Sequence, residues 1–99
     1  MYARVTTFYL KVKSLEEAAK LYQESVIPVA RKQAGFVRAL SLTNRNAGKF
    51  VAVTIWDSIE NALANQKSGY YQSQIDKFDE FMVVKPPEIE GFTVGAISE

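Results

Sequence analysis

Phe50-Val51-Ala52-Val53-Thr54-Ile55-Trp56 runs without a break into Asp57-Ser58-Ile59-Glu60-Asn61-Ala62. The first part is β-branched and aromatic, which suits a pleated, half-buried surface. The second opens with Asp57 and Ser58, either of which caps a helix, and Glu60 then sits favourably in the first turn. The stretch reads as strand into helix, with the single tryptophan, Trp56, at the junction. A strand end holds side chains rigidly while one side stays open, so binding groups are expected there.

Upstream, Phe36 to Thr43 has strand composition, and Asn44-Arg45-Asn46-Ala47-Gly48 is a turn rich in residues that tolerate positive φ. With Lys49 to Trp56 it predicts a hairpin. Tyr2 to Val12 carries no breaker and predicts a first strand. Ser14-Leu15-Glu16-Glu17 matches a capping box. The helix after it places Leu15, Ala18, Ala19, Tyr22, Val26 and Ala30 at helical spacing. Pro28 lacks an N–H and clashes with the carbonyl of Glu24, which predicts a kink or a restart. Gly35 then ends the helix as a left-handed cap.

Downstream, Gly69 divides the second helical region, and Tyr71, Ile75, Phe78 and Met82 form an apolar stripe. Pro86-Pro87 stops any helix. Gly91 to Ile97 reads as a short last strand. The order is βαββαβ, that of a ferredoxin-like plait: an α+β fold with a four-stranded antiparallel sheet and helices on one face. Residues 1–99 form one domain.

The strands leave a face to account for. Alternation sets Val51, Val53 and Ile55 against Phe50, Ala52, Thr54 and Trp56, and Phe36, Leu40 and Leu42 against Val37 and Ala39. Neither face is polar, and helices cover only one. A homodimer joined through the open sheet face is the expected partner. Composition agrees, since 47% of the 99 residues are hydrophobic and a domain this size buries only about two-thirds of its unfolded surface.

The charge balance excludes other classes. Net charge is +1, so neither nucleic acid nor a membrane surface is an expected partner. Cysteine and histidine are both absent. That removes disulfides, thiolate metal sites, the commonest metal and haem ligand and the usual general base. The start Met1-Tyr2-Ala3-Arg4 shows no apolar leader, and no run approaches a membrane span, so a cytoplasmic protein is expected.

The Pro28-containing helix ending in Gln33-Ala34-Gly35-Phe36, the hairpin and the segment Thr54 to Ala62 together resemble the antibiotic biosynthesis monooxygenase-like family of dimeric α+β barrels. The resemblance implies a barrel made by two paired sheets, with a ligand cavity between sheet and helices of each subunit. Its members include cofactor-independent monooxygenases of polycyclic phenols or quinols and haem-degrading enzymes. The resemblance to the latter is incomplete. They use an asparagine on the first strand, a tryptophan ending the third and a histidine on the second helix. Trp56 fits the tryptophan. The first strand offers Thr6, Thr7 and Tyr9, and the histidine position falls near Gln66, so haem degradation is not expected.

The resemblance implies no cofactor, and a small apolar or aromatic ligand. Trp56, Tyr70 and Tyr71 are the candidate catalytic groups. Trp56, Tyr9, Tyr22, Arg38, Gln66 and Tyr71 are candidate substrate contacts. A tryptophan can wall a cavity or simply anchor a helix to a sheet, and tyrosines are ordinary half-buried residues. Arg4 and Arg38 interrupt apolar strand patterns. Turned inward they would hold an anion; the simpler expectation is an edge or interface salt bridge. Asn65 and Gln66 would donate amides to a ligand or face solvent. Asp76, Asp79 and Glu80 read as a solvated helix face. Two functions follow: a cofactor-free monooxygenase of a small phenol or quinol, or a non-catalytic dimeric binding or sensing module with the same pocket. A pocket filled by side chains, in a dimeric scaffold, is the third possibility.

Overall fold

In the computed structural model, which describes residues 1–98, β1 (Tyr2–Tyr9) is a central strand. It pairs with β3 (Lys49–Trp56) on one side and β4 (Glu88–Thr93) on the other, and β2 (Phe36–Asn44) forms the far edge. All three pairings are antiparallel, giving the order β2-β3-β1-β4 of the expected βαββαβ plait. Helices α1 (Leu15–Leu21), α2 (Ile27–Ala30), α3 (Ile59–Lys67) and α4 (Tyr70–Asp76) complete the chain's main elements. The core joins Phe8, Leu10 and Phe50 of the sheet side to Leu15, Ala18, Tyr22, Val26, Ile75 and Phe78. Phe8, Phe50 and Phe78 pack with ring centroids 5.0 to 6.1 Å apart.

Several elements depart from the sequence expectation for local reasons. β1 stops at Tyr9, because Leu10 makes an isolated bridge to Met82 and Val12–Ser14 winds into a 3₁₀ turn. That turn feeds α1, so Ser14 is itself helical, at φ −97° and ψ −4°, and its side chain makes no capping bond. A capping box needs an extended first residue. Ser58 has one, at φ −149° and ψ 156°, and its Oγ accepts from Asn61 N–H at 3.2 Å. The last strand is Glu88–Thr93 rather than 91–97: its ladder with β1 runs from Thr7–Glu88 to Tyr2–Thr93, followed by one further bond from Val94 N–H to Met1 O at 3.0 Å. α4 ends at Asp76, and Asp79–Phe81 is a separate 3₁₀ turn, so Glu80 is not on the helix of Asp76.

The helix restarts at Pro28 as expected, with the proline in the first turn of α2. Between α1 and α2 the chain takes a π turn over Tyr22–Val26, in which Ile27 N–H bonds Tyr22 O, five residues back. The extra residue per turn gives the proline ring its room. A step of four overshoots a helical turn of about 3.6 residues, and the wide turn takes up that overshoot. Tyr22, Val26 and Ala30 consequently line the same space.

A bulge at Val37 corrects the face assignment of β2. Phe36 pairs with Trp56, but Arg38 pairs with Ile55, so one residue is skipped. Phe36 turns to the helix side and packs edge-on against Trp56 at 6.2 Å. Arg38, Leu40 and Leu42 fall on the open face with Ile55, Val53 and Val51. Across β1 that face continues through Ala3, Val5 and Thr7 to Phe92, Glu90 and Glu88. Leu40, Leu42 and Phe92 are exposed there, with Leu42 at 53%.

Candidate functional site

Along the helix-facing side of β1 the residues run Phe8, Thr6, Arg4; along β3 they run Phe50, Ala52, Thr54, Trp56. The phenylalanine end is solidly filled. Past it, Ala52 and Thr54 are small, Thr6 reaches the helices only at the Tyr71 hydroxyl, and a cavity of about 50 Å³ remains. Tyr22, Val26 and Ala30 close it on one side, and Tyr70, Tyr71, Gln74, Ile75 and Phe78 on the other. Gly69, at φ +85°, takes the left-handed conformation that separates α3 from α4. That reversal sets Tyr70, Tyr71 and Gln74 over the cavity.

Arg4 is the charged group of this space and is only 4% exposed. Its Nη1 donates to Ala62 O at 3.2 Å and its Nη2 to Asn65 Oδ1 at 2.8 Å. Asn65 Nδ2 in turn donates to Gln33 Oε1 at 3.3 Å. The guanidinium lies 3.9 Å from the Tyr71 ring centroid and 5.3 Å from that of Trp56, so aromatic faces hold it from two sides. Burial lowers its pKa, while the nearby phenols of Tyr71, Tyr70 and Tyr22 act the other way. A guanidinium keeps its proton in proteins, so a fixed positive charge stands in a mostly apolar enclosure. Arg4 makes no salt bridge among the described residues, whose ion pairs are Arg45–Glu16 and Lys85–Asp79, both exposed.

The phenols are held neutral. Burial pushes Tyr22 well above its ordinary value, against a smaller opposing effect of Arg4. Tyr70 and Tyr71 are also raised by burial. For Tyr71 the hydrogen bond between its hydroxyl and Thr6 Oγ1 works in the opposite direction. These three are donors at neutral pH, not bases.

Among the described residues four buried side-chain polar atoms have no partner: Arg4 Nε, Tyr22 Oη, Tyr70 Oη and Gln74 Oε1. All four residues line the cavity. A buried donor or acceptor without a partner costs about 1–3 kcal/mol, so four at one place point to an occupant that pairs with them.

Trp56, Tyr22, Tyr70 and Tyr71, proposed from sequence, meet at this cavity. Trp56 is 1% exposed, and its indole N–H donates to Thr54 Oγ1 at 3.1 Å, which leaves the ring as a wall. Tyr9, Arg38 and Gln66 do not line it. Tyr9 sits at the odd, open-face register and reaches Glu88 Oε1 at 3.4 Å. Arg38 is carried to the open face by the bulge at Val37. Gln66 is exposed on α3, while its neighbour Asn65 turns inward. Thr6 and Gln74 were not singled out by sequence reasoning. The period-two pattern of β1 and the four-residue step from Tyr70 would have found them once Arg4 was known to point inward.

Among the described residues no group of three or more His, Cys, Asp or Glu side chains could hold a metal ion, and no helix is long and apolar enough to cross a membrane.

A sequence profile described as antibiotic biosynthesis monooxygenase matches residues 1–77. The chain belongs to the antibiotic biosynthesis monooxygenase family. The matched part spans every residue that lines the cavity except Phe78. Solved structures share the fold of this family member. A monooxygenase of Streptomyces coelicolor in complex with nanaomycin D superposes with a TM-score of 0.80 at 19% identity, covering 99% of this chain and 91% of that one. A protein of unknown function from Nitrosomonas europaea gives 0.75 at 16% identity, covering 99% and 92%. A conserved protein from Methanosarcina mazei gives 0.73 at 16%, covering 92% and 89%. No curated protein matches the chain by sequence.

Proposed function

We propose that this family member is a monooxygenase that uses no cofactor and oxidises a small phenol or quinol in the cavity around Arg4. Family membership supports the reaction class. The observation that carries the reading is the set of unpartnered polar atoms around one fixed positive charge, walled by aromatic rings. The Streptomyces coelicolor neighbour, solved in complex with the ligand nanaomycin D, is a case of this fold holding a ligand.

In this reading the substrate itself reduces dioxygen. A phenol and O₂ give a quinone and water: one oxygen atom bonds to ring carbon, and the other leaves as water with the ring and hydroxyl hydrogens. The electron-rich phenolate is the reactive form. Arg4 stabilises that anion, and does so strongly because water is excluded. Tyr22 and Tyr70 donate to its oxygen, and Trp56, Tyr71 and Phe78 hold the ring. The proton leaves to bulk water as the phenol enters, before the cavity closes, since no cavity-lining residue is a carboxylate or a histidine. A space of about 50 Å³ is smaller than the ~150 Å³ that accepts benzene in an engineered cavity, so a ring enters only as the cavity walls give way.

That same lack of a base favours one second reading, a module that binds such a ligand without turnover. We further infer that the open sheet face pairs with a second copy, which covers Leu40, Leu42, Val51, Val53 and Phe92.

Oxygen uptake by the metal-free, flavin-free protein with a panel of quinols and polycyclic phenols separates the two functions. Saturable uptake above the autoxidation rate, altered in Trp56→Phe, is the expected result. Ligand binding with uptake no faster than autoxidation would replace the oxygenase with the binding module.

A further inference from the structure

We propose that Gln74 is the specificity-determining residue of this cavity, accepting a hydrogen bond from a second hydroxyl on the ligand, while Arg4 Nε holds the first oxygen. The proposal rests on the reading that the cavity takes a phenol, and it adds which phenol.

The orientation of Gln74 follows from its neighbour. Ser73 Oγ donates its one proton to Tyr70 O at 2.6 Å. Its oxygen is then free only to accept, and it accepts from Gln74 Nε2 at 3.4 Å. The amide nitrogen is thereby turned outward and Oε1 inward, where it is buried and unpartnered. An inward carbonyl oxygen is an acceptor, so its partner must carry a proton. A ligand with one oxygen, ionised at Arg4, has none left for it. A dihydric phenol has.

Arg4 holds the other end of the ligand. One N–H of Nη1 goes to Ala62 O and one of Nη2 to Asn65 Oδ1, which fixes the guanidinium in place. Nε is its nitrogen without a partner, on a side chain 4% exposed. With the hydroxyl of Tyr22, itself 3% exposed, it suits the ionised oxygen of the ligand. Sites that hydrogen-bond a hydroxyl discriminate steeply against analogues lacking it.

The test is anaerobic calorimetry, which reads binding without turnover. Hydroquinone and catechol are each compared with their monomethyl ether. In the unmodified protein, at least one diol is expected to bind tenfold or more tighter than its ether. In Gln74→Leu, checked for an unchanged melting temperature, that ratio falls to near one while the ethers bind as before. Ethers equal to diols, or no binding by any probe, would each overturn the proposal. Failure of the functional reading is distinct. Oxygen uptake with polycyclic phenols but no diol preference defeats the proposal alone, and diol preference without oxygen uptake defeats the oxygenase alone.

Discussion

Arg4 concentrates most of the chemistry into one side chain. Its charge is held by two hydrogen bonds and two aromatic faces, and removing it leaves Asn65 Oδ1 and Ala62 O with lost partners. Arg4→Gln is expected to lower kcat/KM for a phenol by about 100-fold, the scale of one preorganised charged donor, which steady-state oxygen uptake reads. Asn65 positions that charge. Asn65→Leu leaves Nη2 unpaired and should cost about 1–3 kcal/mol in stability by denaturant melts. Asn65→Asp keeps the acceptor and restores much of that stability, but it neutralises Arg4, so phenolate affinity stays low. The tyrosines predict a pH effect. Burial raises Tyr22, Tyr70 and Tyr71 above the ordinary value of 10.0. Folded protein therefore keeps protons that unfolded chain releases above that value, so stability is level below about pH 10 and falls above it. In Tyr22→Phe the fall is shallower, by thermal melts across alkaline pH. At this scale the sequence revealed aromatic candidates but not the pairing of Arg4. An arginine in a strand reads alike on either face, and only the register settles which.

The elements show why some of the fold could be read and some could not. The Ser58 cap, the Gly35 and Gly69 reversals and the hairpin follow from local chemistry, and each formed as the residues dictate. The π turn and the bulge at Val37 do not. Both insert one residue relative to the regular period, and both answer to what lies across the interface: Pro28 and the cavity for the first, Trp56 for the second. The bulge alone moved Phe36 inward and Arg38 outward, because strand alternation beyond it inverts. The glycines offer a comparison. Gly35 has φ +82°, and an added Cβ would lie 2.6 Å from Asn61 Cβ, whereas Gly69, at φ +85°, has open space. Gly69→Ala should cost about 1–2 kcal/mol, the strain of left-handed backbone alone. Gly35→Ala should cost measurably more, because α3 must also shift. Equal losses in urea melts would contradict the packing of Gly35 against α3.

For the whole molecule the open face decides how the protein exists in solution. Leu40, Leu42 and Phe92 are exposed beside Val5, Val51 and Val53, too much apolar surface for a lone small domain. Light scattering is expected to give a dimer. Leu42→Asp, at an already exposed position, should shift it to monomer without unfolding it, and a well-ordered monomer from the unmodified chain would remove the dimer. The plait itself was legible because its element order is set by periodicity and turns spread along the chain. The cavity was implied only by the family resemblance and not by the residues, because it arises where Ala52 and Thr54 fall short of the helices, a mismatch that exists only after packing. The central claim, oxygenation at Arg4 by the protein alone, is tested most directly by turnover of a quinol under isotopically heavy dioxygen. Mass spectrometry should find one heavy oxygen atom in the product ring, its formation largely lost in Arg4→Gln. A product without heavy oxygen, or equal labelling by the variant, would contradict the account.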